Sequence, residues 1–444
     1  MGDGELTGGS VRTEHAIDRA ALQALGDERV DWRFKGLPVS AEGSTVAELT
    51  ARRLSLFDDG FVGPVLTLDA DALEHNITTM AKWCAERGVQ LAPHGKTTMA
   101  PQLWARQLDA GACGITAANT AQLRVYRAFG VADVLFANEL VDAPSLAWVA
   151  DQLDRDPGFT FSCFADSPAV VMRMTEALTA LRPAPSRPVD VLVEIGRTGG
   201  RAGARTVEDA LATARAVVAS PVLRLAGVGG YEGVLVNDPS PASLAVIDGF
   251  LGRMREVTEL LHQQRLFETD TVVVTAGGSC FFDQVTDMLN RPWPDGLNVR
   301  PVLRSGCYIA HDDGFYRWMS PFSRDAGAGG SLRPALRAWA RVTSRPEPGL
   351  ALVTAGKRDL SFDAWPPEPQ LVRGSDGATR ELRDCVIKEI NDQHAFIRLA
   401  PGNTMEVGDW AGIGLAYPCT AFDKWQLIPV TRGETVVDFV RTFF

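Results

Sequence analysis

Between about residues 91 and 308, short apolar runs alternate with longer stretches in which apolar positions recur at three and four. That alternation predicts βα units feeding a parallel sheet. Strands are predicted at Leu91–Lys96, Cys113–Ala117, Asp133–Asn138, Thr160–Phe164, Asp190–Ile195, Arg224–Gly229, Thr271–Ala276 and Pro301–Ser305. Helices are predicted between them at Thr98–Ala110, Thr120–Phe129, Ser145–Asp154, Val207–Val218 and Ser243–Arg265. In the last of these, Leu244, Ile247, Phe250, Leu251 and Met254 fall on one helical face. Eight such units in roughly 220 residues match the size of a (β/α)8 TIM barrel, and the predicted class is α/β.

After residue 320 the pattern changes to short alternating runs, Leu336–Thr343, Leu350–Ala355, Cys385–Asn391 and Ala395–Leu399, broken by Pro and Gly. These predict a second, mostly β domain. The resulting division is an N-terminal extension over 1–60 packing on the β domain, a barrel over 61–320, and the β domain over 321–444. Pro64–Asp69, a strand the eight-stranded barrel does not need, is free to cross to that domain. Asp325–Ser331 reads as a loop.

Composition narrows the partners. The 444 residues exceed what one hydrophobic core serves, and 45% apolar with 22% charged residues is an ordinary globular balance. A net charge of -11 without any long basic run argues against nucleic acid or an anionic membrane surface, and for a small-molecule partner. Cysteines 84, 113, 163, 280, 307, 385 and 419 have no CxxC spacing and are odd in number, so reduced thiols are expected. The start, Met1–Ser10, has no apolar stretch of signal-peptide length, and no window is apolar for the roughly 18 residues a membrane span requires. The expected location is the cytoplasm. His15, His75 and His262 are given no role.

Barrel chemistry collects at the carboxyl ends of the strands. The first predicted strand ends in Pro93-His94-Gly95-Lys96-Thr97-Thr98, and strand alternation would turn His94 and Lys96 the same way. A poorly solvated lysine there would have its amine pKa lowered toward carbonyl attack. Thr275-Ala276-Gly277-Gly278-Ser279 would let backbone N–H groups converge on a phosphate after a late strand, and Arg304-Ser305-Gly306-Cys307-Tyr308 offers a second glycine turn. Glu194-Ile195-Gly196-Arg197-Thr198-Gly199-Gly200-Arg201 puts a cation near the mouth, and Gly229-Gly230-Tyr231-Glu232-Gly233 puts a phenol there. An arginine and a tyrosine suit a ring-shaped ligand.

Taken together, PHGKTT, R-x-G near 201–203, GYEG, GGS, RSGCY, AGKRDLSFD at 355–363 and YPCTAFDKW at 417–425 resemble the fold-type III pyridoxal-phosphate enzymes. The likeness is to the D-threonine aldolase and D-serine dehydratase group, with its alanine-racemase-like barrel. The resemblance implies pyridoxal 5'-phosphate held as a Schiff base by Lys96, with Arg201 on the pyridine side and Tyr231 beside the ring. It implies that Gly277, Gly278, Ser279, Gly306, Cys307 and Tyr308 surround the phosphate, and that the protein is a homodimer whose active site lies between barrel and β domain.

Members of that group carry a His-x-Cys or His-x-Asp pair that binds a divalent metal, whereas this chain has Tyr417-Pro418-Cys419. A phenol is a poor zinc ligand beside an imidazole, so one anchor is missing. Cys419 and His394 are left as candidate ligands for zinc, manganese or magnesium, and His394 also as an acid-base group. The function these residues favour is a pyridoxal-phosphate lyase acting on a D-configured β-hydroxy amino acid, by retro-aldol cleavage or dehydration. Lys96 would be the Cα base, with His94 and Tyr417 beside it. One alternative is an amino-acid racemase or epimerase using Lys96 and Tyr417 from opposite faces. Another is a pyridoxal-phosphate-binding protein without turnover.

Overall fold

The protein is described here from a computed structural model covering residues 17–325, Gly327 and 329–444. The Met1–Ser10 start and His15 lie outside the described residues. In chain order the first strands are β1 (Val65–Asp69), β2 (Gln90–Leu91), β3 (Ile115–Ala117), β4 (Asp133–Glu139), β5 (Thr160–Ala165), β6 (Val189–Ile195), β7 (Leu223–Gly230), β8 (Val272–Ala276) and β9 (Val299–Leu303). β2 to β9 form one eight-stranded parallel sheet in the order β2-β9-β8-β7-β6-β5-β4-β3.

The chain just past β2 joins the two ends of that sheet. Cys113 N donates to Leu91 O at 2.8 Å, Thr116 N donates to Pro93 O at 2.9 Å, and His94 makes a parallel bridge with Thr116. Side chains such as Leu135, Phe164 and Leu192 pack together among the strands, as in a barrel core. The helices between strands start where the sequence supplies a cap: Asn119, Asp142, Ser167, Thr206 and Ser240 each accept a hydrogen bond from a first-turn amide. Val207–Val218 forms as predicted. The helix expected from Thr98 begins instead at Pro101. Met99 sits at φ +42, which interrupts the helical path, and proline favours the first helical turn.

One strand needs correction. Leu91–Lys96 does not run extended to the lysine: Gly95–Thr97 is a single 3-10 turn, so Lys96 stands on a turn rather than on a strand. Alternation along a strand is therefore not what sets its direction. The cause is local, because a Cβ at position 95 would come within 2.6 Å of the Tyr126 hydroxyl and 2.7 Å of Ile115 Cγ2. Only glycine lets the chain turn this close to its neighbours.

The second unit groups Ala20–Met80, Thr97–Leu103 and Cys307–Phe444. Its strands are β10 (Leu336–Glu347), β11 (Leu350–Val353), β12 (Glu368–Arg373), β13 (Thr379–Glu381), β14 (Val386–Ile390), β15 (Ala395–Arg398), β16 (Trp410–Gly414), β17 (Leu427–Arg432) and β18 (Thr435–Arg441). β1 lies inside this sheet, antiparallel to β10 with Val65 opposite Trp339 and parallel to β17 with Leu68 opposite Val430. Both faces of β1 are covered, which explains its nearly continuous apolar run. From the N-terminal segment, Val30, Phe34, Leu37 and Leu49 pack with Trp339, Trp410 and Phe439 of the sheet. A capping box between Thr45 and Glu48 starts the helix Val46–Arg52 that carries Leu49. Among the described residues no helix is long and apolar enough to cross a membrane.

Candidate active site

Lys96 emerges from its turn partly exposed. The turn is anchored from behind, where Trp104 Nε1 donates to the Gly95 carbonyl at 3.3 Å. Among the described residues the Lys96 ammonium is engaged by no carboxylate. Two residues back, the His94 amide donates to Arg304 O at 3.2 Å, while its buried ring Nδ1 has no hydrogen-bond partner. Burial first, then the charges of Lys96, Arg304 and Arg201, hold this imidazole well below its usual range, so it is neutral at pH 7.

Arg304, at the end of β9, is 1% exposed. Its Nη1 donates to Thr275 Oγ1 at 2.7 Å and its Nη2 to the Gly230 carbonyl at 2.5 Å, leaving the buried Nε without a partner. Thr275 in turn donates to Val302 O at 2.9 Å. Three strand ends are thus tied to one guanidinium.

The glycine turn after β8 is arranged differently from the sequence expectation. Gly277 takes φ +104, and its amide and that of Gly278 donate to the two carboxylate oxygens of Glu232 at 3.0 and 2.8 Å. These amides are held by a buried side chain rather than presented to the barrel mouth. Ser305 Oγ closes the turn on its other side, donating to the Gly278 carbonyl at 2.8 Å. Ser279 is buried beside it. Tyr231 packs against this turn, and the Arg201 guanidinium lies over its ring, 5.1 Å from the centroid. Arg201 and Tyr231 line a cavity of about 70 Å³ with Glu194, Arg197, Leu235 and Phe250.

Glu194, near the end of β6, faces Glu139 at the end of β4, and each has one buried oxygen without a partner. Burial, then the hydrogen bond and charge of Glu139, push the Glu194 carboxyl up to about 9. Two neighbouring carboxyls removed from water cannot both ionise cheaply, so Glu194 keeps its proton at neutral pH.

In the second unit, Cys307 and Tyr308 open a buried 3-10 turn. Cys307 Sγ lies 3.3 Å from the Tyr316 hydroxyl, 3.4 Å from Cys419 Sγ and 3.8 Å from the hydroxyl of Thr97, the residue that follows Lys96 in the chain. Tyr417 has φ +72, a left-handed conformation unusual for tyrosine. Asp312 holds it there: Oδ2 accepts from Tyr417 N at 2.8 Å, while Oδ1 accepts from the amides of Gly314, Tyr316 and Arg317 at 3.0, 2.8 and 3.2 Å. The rings of Tyr316 and Tyr417 stack, with centroids 6.0 Å apart and planes 17° from parallel.

His394 is exposed in the turn between β14 and β15, where its carbonyl accepts from Asn391 N at 2.8 Å. Among the described residues no three or more His, Cys, Asp or Glu side chains converge as a metal site would require. Sequence reasoning missed Arg304, Glu232, Glu139, Glu194 and Asp312 as working groups. A signal existed for most of them, since a charged residue closing an otherwise apolar barrel strand points to the mouth.

Comparison with known proteins follows this division. The family described as "Alanine racemase, N-terminal domain" matches residues 68–289, and the "Putative serine dehydratase domain" matches 335–431. A D-threonine aldolase of Arthrobacter sp is 26% identical over 342 residues, covering 76% of this chain and 80% of its own. A 3-hydroxy-D-aspartate aldolase of Paracoccus denitrificans is 27% identical over 361 residues, covering 78% and 87%. Among solved structures, a D-threonine aldolase from Filomicrobium marinum superposes with TM-score 0.71 at 25% identity, over 86% of this chain and 95% of that one. A D-threo-3-hydroxyaspartate dehydratase from Delftia sp. HT23, at 21% identity and TM-score 0.66 over 86% and 98%, shares the fold.

Proposed function

We propose that this chain, which belongs to the alanine racemase N-terminal domain family and carries a serine dehydratase-type domain behind it, is a pyridoxal-phosphate-dependent lyase of D-configured β-hydroxy amino acids. One observation carries the reading: a lysine engaged by no carboxylate among the described residues stands past a barrel strand, in a chain that aldolases of such amino acids match over three quarters of its length.

The barrel residues fit the cofactor. Besides the available amine of Lys96, the buried Nδ1 of His94 and Nε of Arg304 are polar atoms lacking a protein partner, and unpartnered buried groups of this kind mark ligand sites. Lys96 would hold the cofactor through its amine, Arg201 and Tyr231 would border the ring, and Ser279 with the Gly306–Tyr308 turn would meet the phosphate. Gly277 and Gly278 would shape that wall, with Glu232 securing their turn. When bound, pyridoxal phosphate supplies an electron sink for the substrate Cα.

The protein's own groups divide the remaining work. Lys96 takes the proton at its amine. His94, kept neutral, can offer its Nδ1 for a hydrogen bond without placing a further charge beside Lys96 and Arg304. Glu194 holds its proton beside Glu139 and so avoids a second negative charge in the barrel. Tyr417 takes the place of a metal-binding imidazole, and we assign its phenol to the β-hydroxyl, with no tightly held ion needed. One equivalent of retained zinc, manganese or magnesium per chain would refute that assignment and return Cys419 to the role of ligand. We also propose a homodimer, which light scattering at the mass of one chain would refute.

Racemisation or epimerisation by Lys96 and Tyr417 is the second reading, favoured by the rigid hold on Tyr417. A cofactor carrier without turnover fits less well, because a barrel alone would serve that purpose and this chain adds residues matching a serine dehydratase domain. The purified protein should show an absorbance band at the edge of the visible that borohydride removes and that Lys96→Ala lacks. Incubated with D-threonine, D-serine and 3-hydroxy-D-aspartate, it should release an aldehyde or a keto acid. Formation of the enantiomer alone would overturn the lyase assignment in favour of the second reading.

A further inference from the structure

Cys307 and Cys419 are 112 positions apart in the chain, yet their sulfurs lie 3.4 Å apart. All seven cysteines are unbridged. A disulfide requires about 2 Å between sulfurs, so this pair needs only roughly 1.4 Å of approach, within reach of side-chain rotation and a small shift of the Cys419 turn. The two sulfurs differ in access. Cys307 is 6% exposed, whereas Cys419 is half-buried at the head of the short helix Cys419–Phe422. Beside them stand neutral hydroxyls, Thr97 at 3.4 Å from Cys419 and Tyr316 at 3.3 Å from Cys307.

We propose that Cys307 and Cys419 form an oxidation site that closes into an intramolecular disulfide, and that closure displaces the turn carrying Tyr417. The oxidant is hydrogen peroxide. The Cys419 thiolate attacks one peroxide oxygen, the O–O bond breaks, hydroxide leaves and a sulfenic acid forms. The Cys307 sulfur then attacks that sulfur, the S–O bond breaks, and water leaves with the Cys307 proton. The proton first lost by Cys419 joins the hydroxide, so two thiols are oxidised and one peroxide is reduced to two waters. Cys419 is two residues from Tyr417, and Cys307 contacts Tyr316, the ring on which Tyr417 stacks. Joining the sulfurs pulls on both supports of that phenol.

The disulfide is independent of the proposed reaction; the loss of turnover rests on it. The test exposes the purified protein, with its bound cofactor, to hydrogen peroxide, then counts thiols in denaturant and maps linked peptides. The expected count falls from seven to five, seven less the joined pair, with a Cys307–Cys419 peptide that dithiothreitol releases. Cys419→Ser should keep all its remaining thiols under the same exposure, and the wild-type map decides the matter if that variant folds poorly. A count that stays at seven would overturn the proposal. So would a link between Cys84 and Cys113, which influence each other electrostatically, formed in place of the Cys307–Cys419 one. In the activity arm, lyase turnover should fall with disulfide formation and return with dithiothreitol. A mapped disulfide with undiminished turnover would overturn the coupling to Tyr417, while a protein with no lyase activity at any stage would count against the proposed function and leave the thiol map readable.

Discussion

Replacing Glu194 with glutamine tests the claim that the barrel stores a proton between two carboxyls. The folded protein holds the Glu194 proton to about 9, against 4.5 for an unperturbed glutamate. Between those values the folded state binds one proton that the unfolded chain has released. Its stabilisation is fully present below about 4.5 and is lost as pH rises through about 9, by at most about 1.4 kcal/mol per pH unit. The full interval would give roughly 6 kcal/mol, but Glu194 interacts with Glu139 and is not fully enclosed, so a few kcal/mol is the realistic scale. The glutamine side chain of E194Q keeps a donor toward Glu139 and does not titrate. The stability of the wild type relative to E194Q should therefore decline steadily from about pH 5 to about pH 9. Urea unfolding followed by tryptophan fluorescence reports this, because Trp83 and Trp104 are 3% and 0% exposed. If the two proteins keep a constant difference, within about 0.5 kcal/mol across that range, the pair holds no proton of its own and the reasoning fails.

Three further perturbations address the turns that place the site. Gly95→Ala drives a methyl to 2.6 Å from the Tyr126 hydroxyl and 2.7 Å from Ile115 Cγ2. It should cost about 2 kcal/mol in thermal stability and weaken the Lys96-dependent absorbance band, whereas the same change at the open Gly252 should do neither. Glu232→Gln leaves a single acceptor for the Gly277 and Gly278 amides, so one of them faces an amide N–H group. A loss of about 2 kcal/mol is expected, with faster release of pyridoxal phosphate on gel filtration. Asp312→Asn removes an acceptor from a carboxylate serving four amides. It should lower kcat about tenfold with little change in KM, since Tyr417 is assigned to the β-hydroxyl rather than to substrate binding.

The barrel is legible in the sequence because its strands are buried on both faces and its helices carry their caps, so each unit announces its own ends. Apolar runs alone locate β4 to β9, and the helix Val207–Val218 is placed to the residue. The strand Pro64–Asp69 is readable as surplus, because an eight-stranded ring has no place for a ninth. What cannot be read is any feature set by an approach between distant segments. The end of the first strand is the clearest case: Pro93-His94-Gly95-Lys96 has the composition of a strand end, and only the ring of Tyr126 and the side chain of Ile115 make it a turn.

The glycine turn after β8 shows how such approaches redirect chemistry. Unencumbered amides near a late barrel strand suit an anion from outside, and the sequence alone supports that assignment for Gly277 and Gly278. Glu232, 45 positions earlier, supplies the anion from within instead. A carboxylate buried this deeply is tolerated only with full compensation, which the two amides begin and Arg304 completes electrostatically. Arg304 is thereby partly neutralised, and the negative charge a second ionised glutamate would add is not needed. Burial and the neighbouring Glu139 keep the proton on Glu194 beside an arginine that would otherwise favour releasing it. The charges at the mouth of the barrel thus form one coupled set, in which Glu232→Gln should lower the pH at which Glu194 titrates.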